Sequence, residues 1–69
     1  MKLKLDQYVG HIVRLNQKAF QEICRRAKHQ GEALENCFLV AEVNRGMRQL
    51  ICYGSNLRII VGIADIALI

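Results

Sequence analysis

The side chains best equipped for chemistry in this 69-residue chain are three cysteines, Cys24, Cys37 and Cys52, and two histidines, His11 and His29. Zinc would accept four such ligands in a tetrahedron, but structural zinc sites usually space two cysteines as C-x₂₋₄-C. No two cysteines here stand that close, and Cys24 falls within an apolar helical stripe. Free cysteine packs like a small hydrophobe, so the three thiols read as core residues and no metal is expected. A Cys–His nucleophile needs a thiol beside an imidazole that a third group orients. Cys52 and His11 are the candidates, because a sheet that closes on itself would make their strands neighbours. His11 shares its alternation with Val9, Val13 and Leu15, which points it inward, and a buried or rim histidine bonded to backbone is the simpler reading. The five glycines are dispersed at turns and bends, so no phosphate-cradling loop exists, and carboxylates are not paired. The sequence therefore reads as non-catalytic and free of cofactors.

Charge offers a different chemistry. Between residues 14 and 30 stand five cations, Arg14, Lys18, Arg25, Arg26 and Lys28, against the single acid Glu22, and this equals the chain's whole net charge of +4. Charge confined to one segment is a candidate docking ridge for phosphates, and so for nucleic acid. A competing explanation is local: cations in the last turn of a helix complement its dipole, and Glu22 lies four residues from both Lys18 and Arg26.

These residues must be positioned by a small set of elements. Residues 8–15 (YVGHIVRL) alternate and are β-branched, which predicts the first strand. Asn16 is suited to cap a helix over 17–30, with Gly31 as its stop. Ala19, Phe20, Ile23, Cys24 and Ala27 recur at helical spacing and make its apolar stripe. After a turn at 32–36, residues 37–43 read as a strand, 44–46 as a hairpin turn and 47–53 as the return strand. A second turn at 54–56 leads to a third strand at 57–63. A brief turn at Ala64-Asp65 then precedes a short closing strand.

One domain is all that 69 residues can build, and a core of that size usually needs a staple, a metal or a partner. An odd cysteine count and a charged N-terminus without an apolar core region of a leader suggest free thiols in a reducing cytoplasm. The longest apolar run, residues 59–64, is far too short to span a bilayer, so no membrane partner is expected. Association is the remaining route to burial, and a hydrophobic content of 52% favours a homo-oligomer. Both alternating faces are apolar in 37–41 and 59–61, whereas a strand wetted on one side should be polar at every second position. Phe38, Val40 and Ile60 are therefore the candidate self-association residues.

The chain order, a strand, a helix and four short strands, predicts a mainly β fold with one helix (α+β) whose sheet bends strongly and closes. Tyr8-Val9-Gly10, Val13-Arg14-Leu15 and the ending Ile63-Ala64-Asp65-Ile66-Ala67-Leu68-Ile69 resemble the SH3-like small β-barrels found in short proteins of phages and mobile elements. The resemblance implies order β-α-β-β-β-β, a helix in place of the long first loop, and a single turn before the last strand. An open antiparallel sheet with the helix packed on one face is the alternative. The functional expectation is a small non-catalytic interaction module that self-associates and binds protein. A nucleic-acid-binding regulator using the basic ridge is the alternative.

Overall fold

Strand and helix patterning produce five strands and one helix in the computed structural model, which describes residues 3–27 and 34–69. A single 3₁₀ turn, Leu5–Tyr8, leads into β1 (Ile12–Leu15) and then α1 (Gln17–Ala27). The meander β2 (Phe38–Asn44), β3 (Gln49–Gly54) and β4 (Leu57–Gly62) follows. A three-residue 3₁₀ turn, Ile63–Asp65, delivers the chain to β5 (Ile66–Leu68). The fold is thus mainly β with one helix, in the expected order β-α-β-β-β-β. The expected end of the helix, including Lys28, His29 and Gly31, lies outside the described residues. No helix among the described residues is long and apolar enough to cross a membrane.

The strands form one antiparallel sheet in the order β4-β3-β2-β1-β5. It is open, which corrects the expectation of a closed barrel: β5 has three residues, all spent on β1, and the edge N–H of Gly62 is taken by the Asp65 carboxylate at 3.2 Å. It is nevertheless sharply bent. Outer strands of a flat five-stranded sheet lie about 19 Å apart, whereas the 3₁₀ step from Gly62 to Ile66 advances about 8 Å. The bend is built into β2, where the register with β3 shifts between Val40 and Glu42, and such a bulge kinks a strand and increases its twist.

One apolar cluster fills the concave side: Val13, Leu15, Phe38, Val40, Leu50, Cys52, Ile59 and Val61. Ala19, Phe20 and Ile23 of the helical stripe pack against it and stay half-buried. Phe38 and Val40 are therefore core residues and not self-association residues. Because both faces of β2 are apolar, alternation could not tell inside from outside, and the outward apolar residue is Leu39.

Polar side chains tie the ends of these elements together. Asn16 caps α1 as expected, its Oδ1 accepting the Ala19 N–H at 2.8 Å. Its own N–H donates to the Asp65 carbonyl at 2.8 Å, which fixes the 3₁₀ turn to the start of the helix. Asn36 continues the β1–β2 pairing with its side chain. Its Oδ1 accepts the Leu15 N–H at 2.7 Å and its Nδ2–H donates to the Leu15 carbonyl at 2.8 Å. Asp6 and Arg45 form a bidentate pair, at 3.0 and 2.6 Å, that holds the first 3₁₀ turn to the β2–β3 loop.

Strand ends shift from expectation, and two shifts have a backbone cause. The first strand begins at Ile12: Gly10 takes a left-handed conformation (φ +89°) in a turn closed by the His11 N–H on the Tyr8 carbonyl, so Val9 and His11 lie outside the ladder and are exposed. In the β2–β3 loop the left-handed residue is Arg48 (φ 54°), not Gly46, and Asn44 supports the turn by accepting the Met47 N–H. A left-handed non-glycine costs about 1 kcal/mol. Arg48→Gly should accordingly raise stability by about 0.5 kcal/mol after the entropy cost of glycine, read as a higher urea midpoint at unchanged slope.

Candidate interaction surfaces

The convex face of the sheet carries the most organised arrangement of exposed side chains. Ile12 pairs with Leu39, Leu39 with Tyr53, and Tyr53 with Arg58. Side chains directly opposite on antiparallel strands point to the same side, so these four stand in one row across β1, β2, β3 and β4. Ile69, whose N–H donates to the Ile12 carbonyl, prolongs it. Ile12, Leu39 and Tyr53 are 41%, 43% and 45% exposed. Together with Ile69, 73% exposed, they form a contiguous apolar patch, and such patches on small proteins are often functional. Arg14, two residues along β1 from Ile12, shares this face, and Glu42 stands beyond the bulge. A shallow depression of about 490 Å³ adjoins the row, lined by Tyr53, Gly54, Asn56, Leu57 and Arg58.

The basic ridge is distributed. Arg14 sits on the sheet opposite Ala67 of β5, while Lys18, Arg25 and Arg26 are exposed on α1, and Lys28 lies outside the described residues. Arg25 is 3.7 Å from Glu22 in a solvent-facing pair. Lys18, Glu22 and Arg26 form one row on the helix and face Ile60, Val61 and Asp65 across a groove of about 340 Å³. That groove alternates two cations with two carboxylates, so the helix does not offer a uniformly positive surface.

The cysteines and histidine do not converge. Cys52 is fully buried on β3 between Val40 and Ile59, Cys24 is half-buried, and Cys37, one residue before β2, is exposed, which corrects its reading as a core residue. His11 is also exposed rather than inward. Its main chain bonds to Val40 on β2, so a whole strand separates it from Cys52. No cluster of three or more metal-ligating side chains occurs among the described residues.

Burial pushes the Cys52 thiol up from 9.0 to about 11. A raised pKa means that the folded state holds its proton more tightly. The stability this contributes is complete below about pH 9 and is lost as pH rises toward 11. Denaturation midpoints should therefore fall over that interval, with the fall reduced in Cys52→Val. At neutral pH a maleimide should label Cys37 first and Cys52 only upon unfolding.

The sequence missed Ile12 and Leu39 as surface residues. Ile12 was legible, since Arg14 must face water and shares its alternation, whereas nothing in the apolar run of β2 singles out Leu39. Comparison with protein-family models, with curated proteins and with solved structures finds no match to this chain.

Proposed function

We propose that this chain is a small non-catalytic interaction module that self-associates and docks a protein segment on the convex face of its sheet. The in-register row Ile12–Leu39–Tyr53–Arg58 carries the reading. Aliphatic and aromatic side chains supply contact area, and Arg14 and Arg58 at its margins select acidic residues in the partner. The SH3-like relationship is part of the same proposal. Its support is the strand order β4-β3-β2-β1-β5, the kinked β2 and the single 3₁₀ turn before the last strand.

A displayed random-peptide library selected on the immobilised protein tests this. Enriched peptides should combine apolar residues with Asp or Glu and lose at least tenfold in affinity toward Leu39→Lys or Arg58→Glu. Both positions are exposed, so neither change should disturb the fold by more than about 0.5 kcal/mol. No enrichment, or peptides that bind the variants equally well, would sink the docking face.

One observation favours a second reading, nucleic-acid binding: the Tyr53 ring stands beside Arg58 at a depression that also holds Asn56. An exposed aromatic with a neighbouring arginine can stack a base and hold its phosphate. Anisotropy with mixed DNA and RNA oligomers at two salt concentrations separates the readings. Binding that weakens steeply with salt and is lost on Tyr53→Leu supports it, and an Arg25/Arg26 double alanine change should flatten the slope if the helix takes part. Flat curves at low salt exclude it.

A further inference from the structure

We infer that β4 is a pairing edge for a second copy of this chain, so that two sheets join into one of ten strands. The inference rests on the self-associating reading above and gives it a site. β4 ends the strand order, so one of its sides is unpaired. The β3–β4 hairpin turns through two residues, Ser55 (φ 50°) and Asn56 (φ 63°), with Gly54 opposite Leu57. In such a two-residue turn the flanking pair is hydrogen-bonded, and bonded and non-bonded pairs then alternate along the ladder. Leu57, Ile59 and Val61 consequently bond to β3, while the main-chain N–H and C=O of Arg58, Ile60 and Gly62 point away from it. Gly62 bears this out, since its N–H donates to the Asp65 carboxylate.

Among the described residues, the outward main-chain donor and acceptor of Arg58 and of Ile60 have no partner. Edge strands normally carry a proline, an inward charge or a bulge that discourages pairing. β4 itself has none of these: its only charged residue, Arg58, points outward, and the bulge lies in β2. α1 stands off from the strand across the open groove beside Ile60 and Val61, which is where the added strand would enter. The strand is blunted only at Gly62, and this fixes the register. An antiparallel second copy related by a two-fold axis at Ile59 sets Arg58 of each chain opposite Ile60 of the other, which makes four N–H···O bonds and leaves Gly62 capped.

The same register is self-complementary in side chains. On the core side Ile59 meets its own copy and Leu57 meets Val61, which are buried or half-buried apolar residues in each chain. On the convex side the guanidinium of Arg58 lies over Ile60 of the second copy, whose groove holds the carboxylates Glu22 and Asp65. Ile60 is 50% exposed in the single chain and gains cover. The two convex rows end up on one continuous face.

Sedimentation velocity over a concentration series and amide hydrogen exchange by NMR test this on the unmodified chain. A dimer is expected, with Arg58 and Ile60 amides slowed at least tenfold on dimerisation while Ile59 and Val61 are protected at every concentration. Ile60→Lys places a lysine opposite Arg58 of the second copy and should weaken the dimer at least tenfold, because like charges directly opposite repel. Adding Arg58→Glu should restore it, and Leu68→Lys on the far edge should leave it unchanged. A dimer whose Arg58 and Ile60 amides exchange independently of concentration, or which Ile60→Lys leaves intact, overturns the β4 edge and spares self-association. A chain that stays monomeric up to about 1 mM, the weak end of specific affinity, overturns both.

Discussion

Gly54→Ala is expected to abolish cooperative folding at 25 °C. A Cβ at this position would sit 2.5 Å from the Cys37 carbonyl oxygen and 2.7 and 3.2 Å from Cδ1 and Cε1 of the Phe38 ring. Neither neighbour can yield. The carbonyl is backbone at the entry to β2, and Phe38 is 1% exposed within the core. The constraint is one of space, since Gly54 has no left-handed φ. Overpacking of a tight core costs about 3 kcal/mol or more when backbone must move, and a core of this size supplies only about 3–5 kcal/mol. Gly46→Ala provides the contrast, because its Cβ would meet nothing closer than Asn44 Oδ1 at 3.6 Å. Circular dichroism during urea titration should show no transition for Gly54→Ala and a native-like one for Gly46→Ala. A Gly54→Ala midpoint close to the unmodified chain's would refute the packing described around β2 and β3.

The second large effect is expected at Asn36. Its amide both accepts from and donates to the Leu15 main chain, and Leu15 is a buried residue at the junction of β1 and α1. Asn36→Asp keeps the acceptor but turns the donor into an oxygen facing the Leu15 carbonyl. Losing a partly buried hydrogen bond and leaving its acceptor unsatisfied costs about 1–3 kcal/mol, and repulsion between the two oxygens adds to it. The pH dependence distinguishes this from a general loss of packing. Protonation restores a donor, so the introduced carboxyl should have a folded pKa above its ordinary value of about 3.9. A group raised in the folded state stabilises below its unfolded pKa and loses that stabilisation as pH climbs through the folded one. Relative to the unmodified chain at the same pH, Asn36→Asp should be least stable near pH 7 and recover toward pH 3. Asn36→Ala should lose stability by a similar amount with no recovery. A deficit for Asn36→Asp that does not change with pH would rule out the paired geometry at Leu15.

Much of the fold was legible where one residue type has a single structural use. Asn16 announced the helix start, the stripe residues Ala19, Phe20 and Ile23 its core-facing side, and Gly54-Ser55-Asn56 a turn. The short turn at Ala64-Asp65 and the closing strand also stand where the pattern put them. Legibility failed where one feature admits two outcomes. Gly10 reads as a strand residue until its left-handed φ is known, and the turn it belongs to delays the start of β1 and leaves His11 outside the strand. The run from Phe38 to Ala41 is apolar on both sides, so only packing against Gly54 and the rest of the core could choose its inward face. The cationic segment is continuous in sequence but divided in space, because Arg14 belongs to the sheet and Lys18, Arg25 and Arg26 to the helix. Asn36 reads as an ordinary turn residue, since a side chain that completes a ladder 21 positions away leaves no local signature.

The three-residue bridge between β4 and β5 also sets an order of events during folding. The meander pairs residues close in sequence, as with Gly54 and Leu57, whereas β5 joins β1 across a span that includes Val13 and Leu68. Closing so long a loop costs chain entropy that local hairpins avoid. The hairpins of β2, β3 and β4 are thus the expected nucleus, with β5 expected to dock late, once Asn16 can receive the 3₁₀ turn. Contacts made after the transition state act mainly on the rate of unfolding. Substitutions in β5 should therefore leave the refolding limb nearly unchanged and raise the unfolding rate in a chevron plot, so that the shortest strand of the sheet would govern its lifetime.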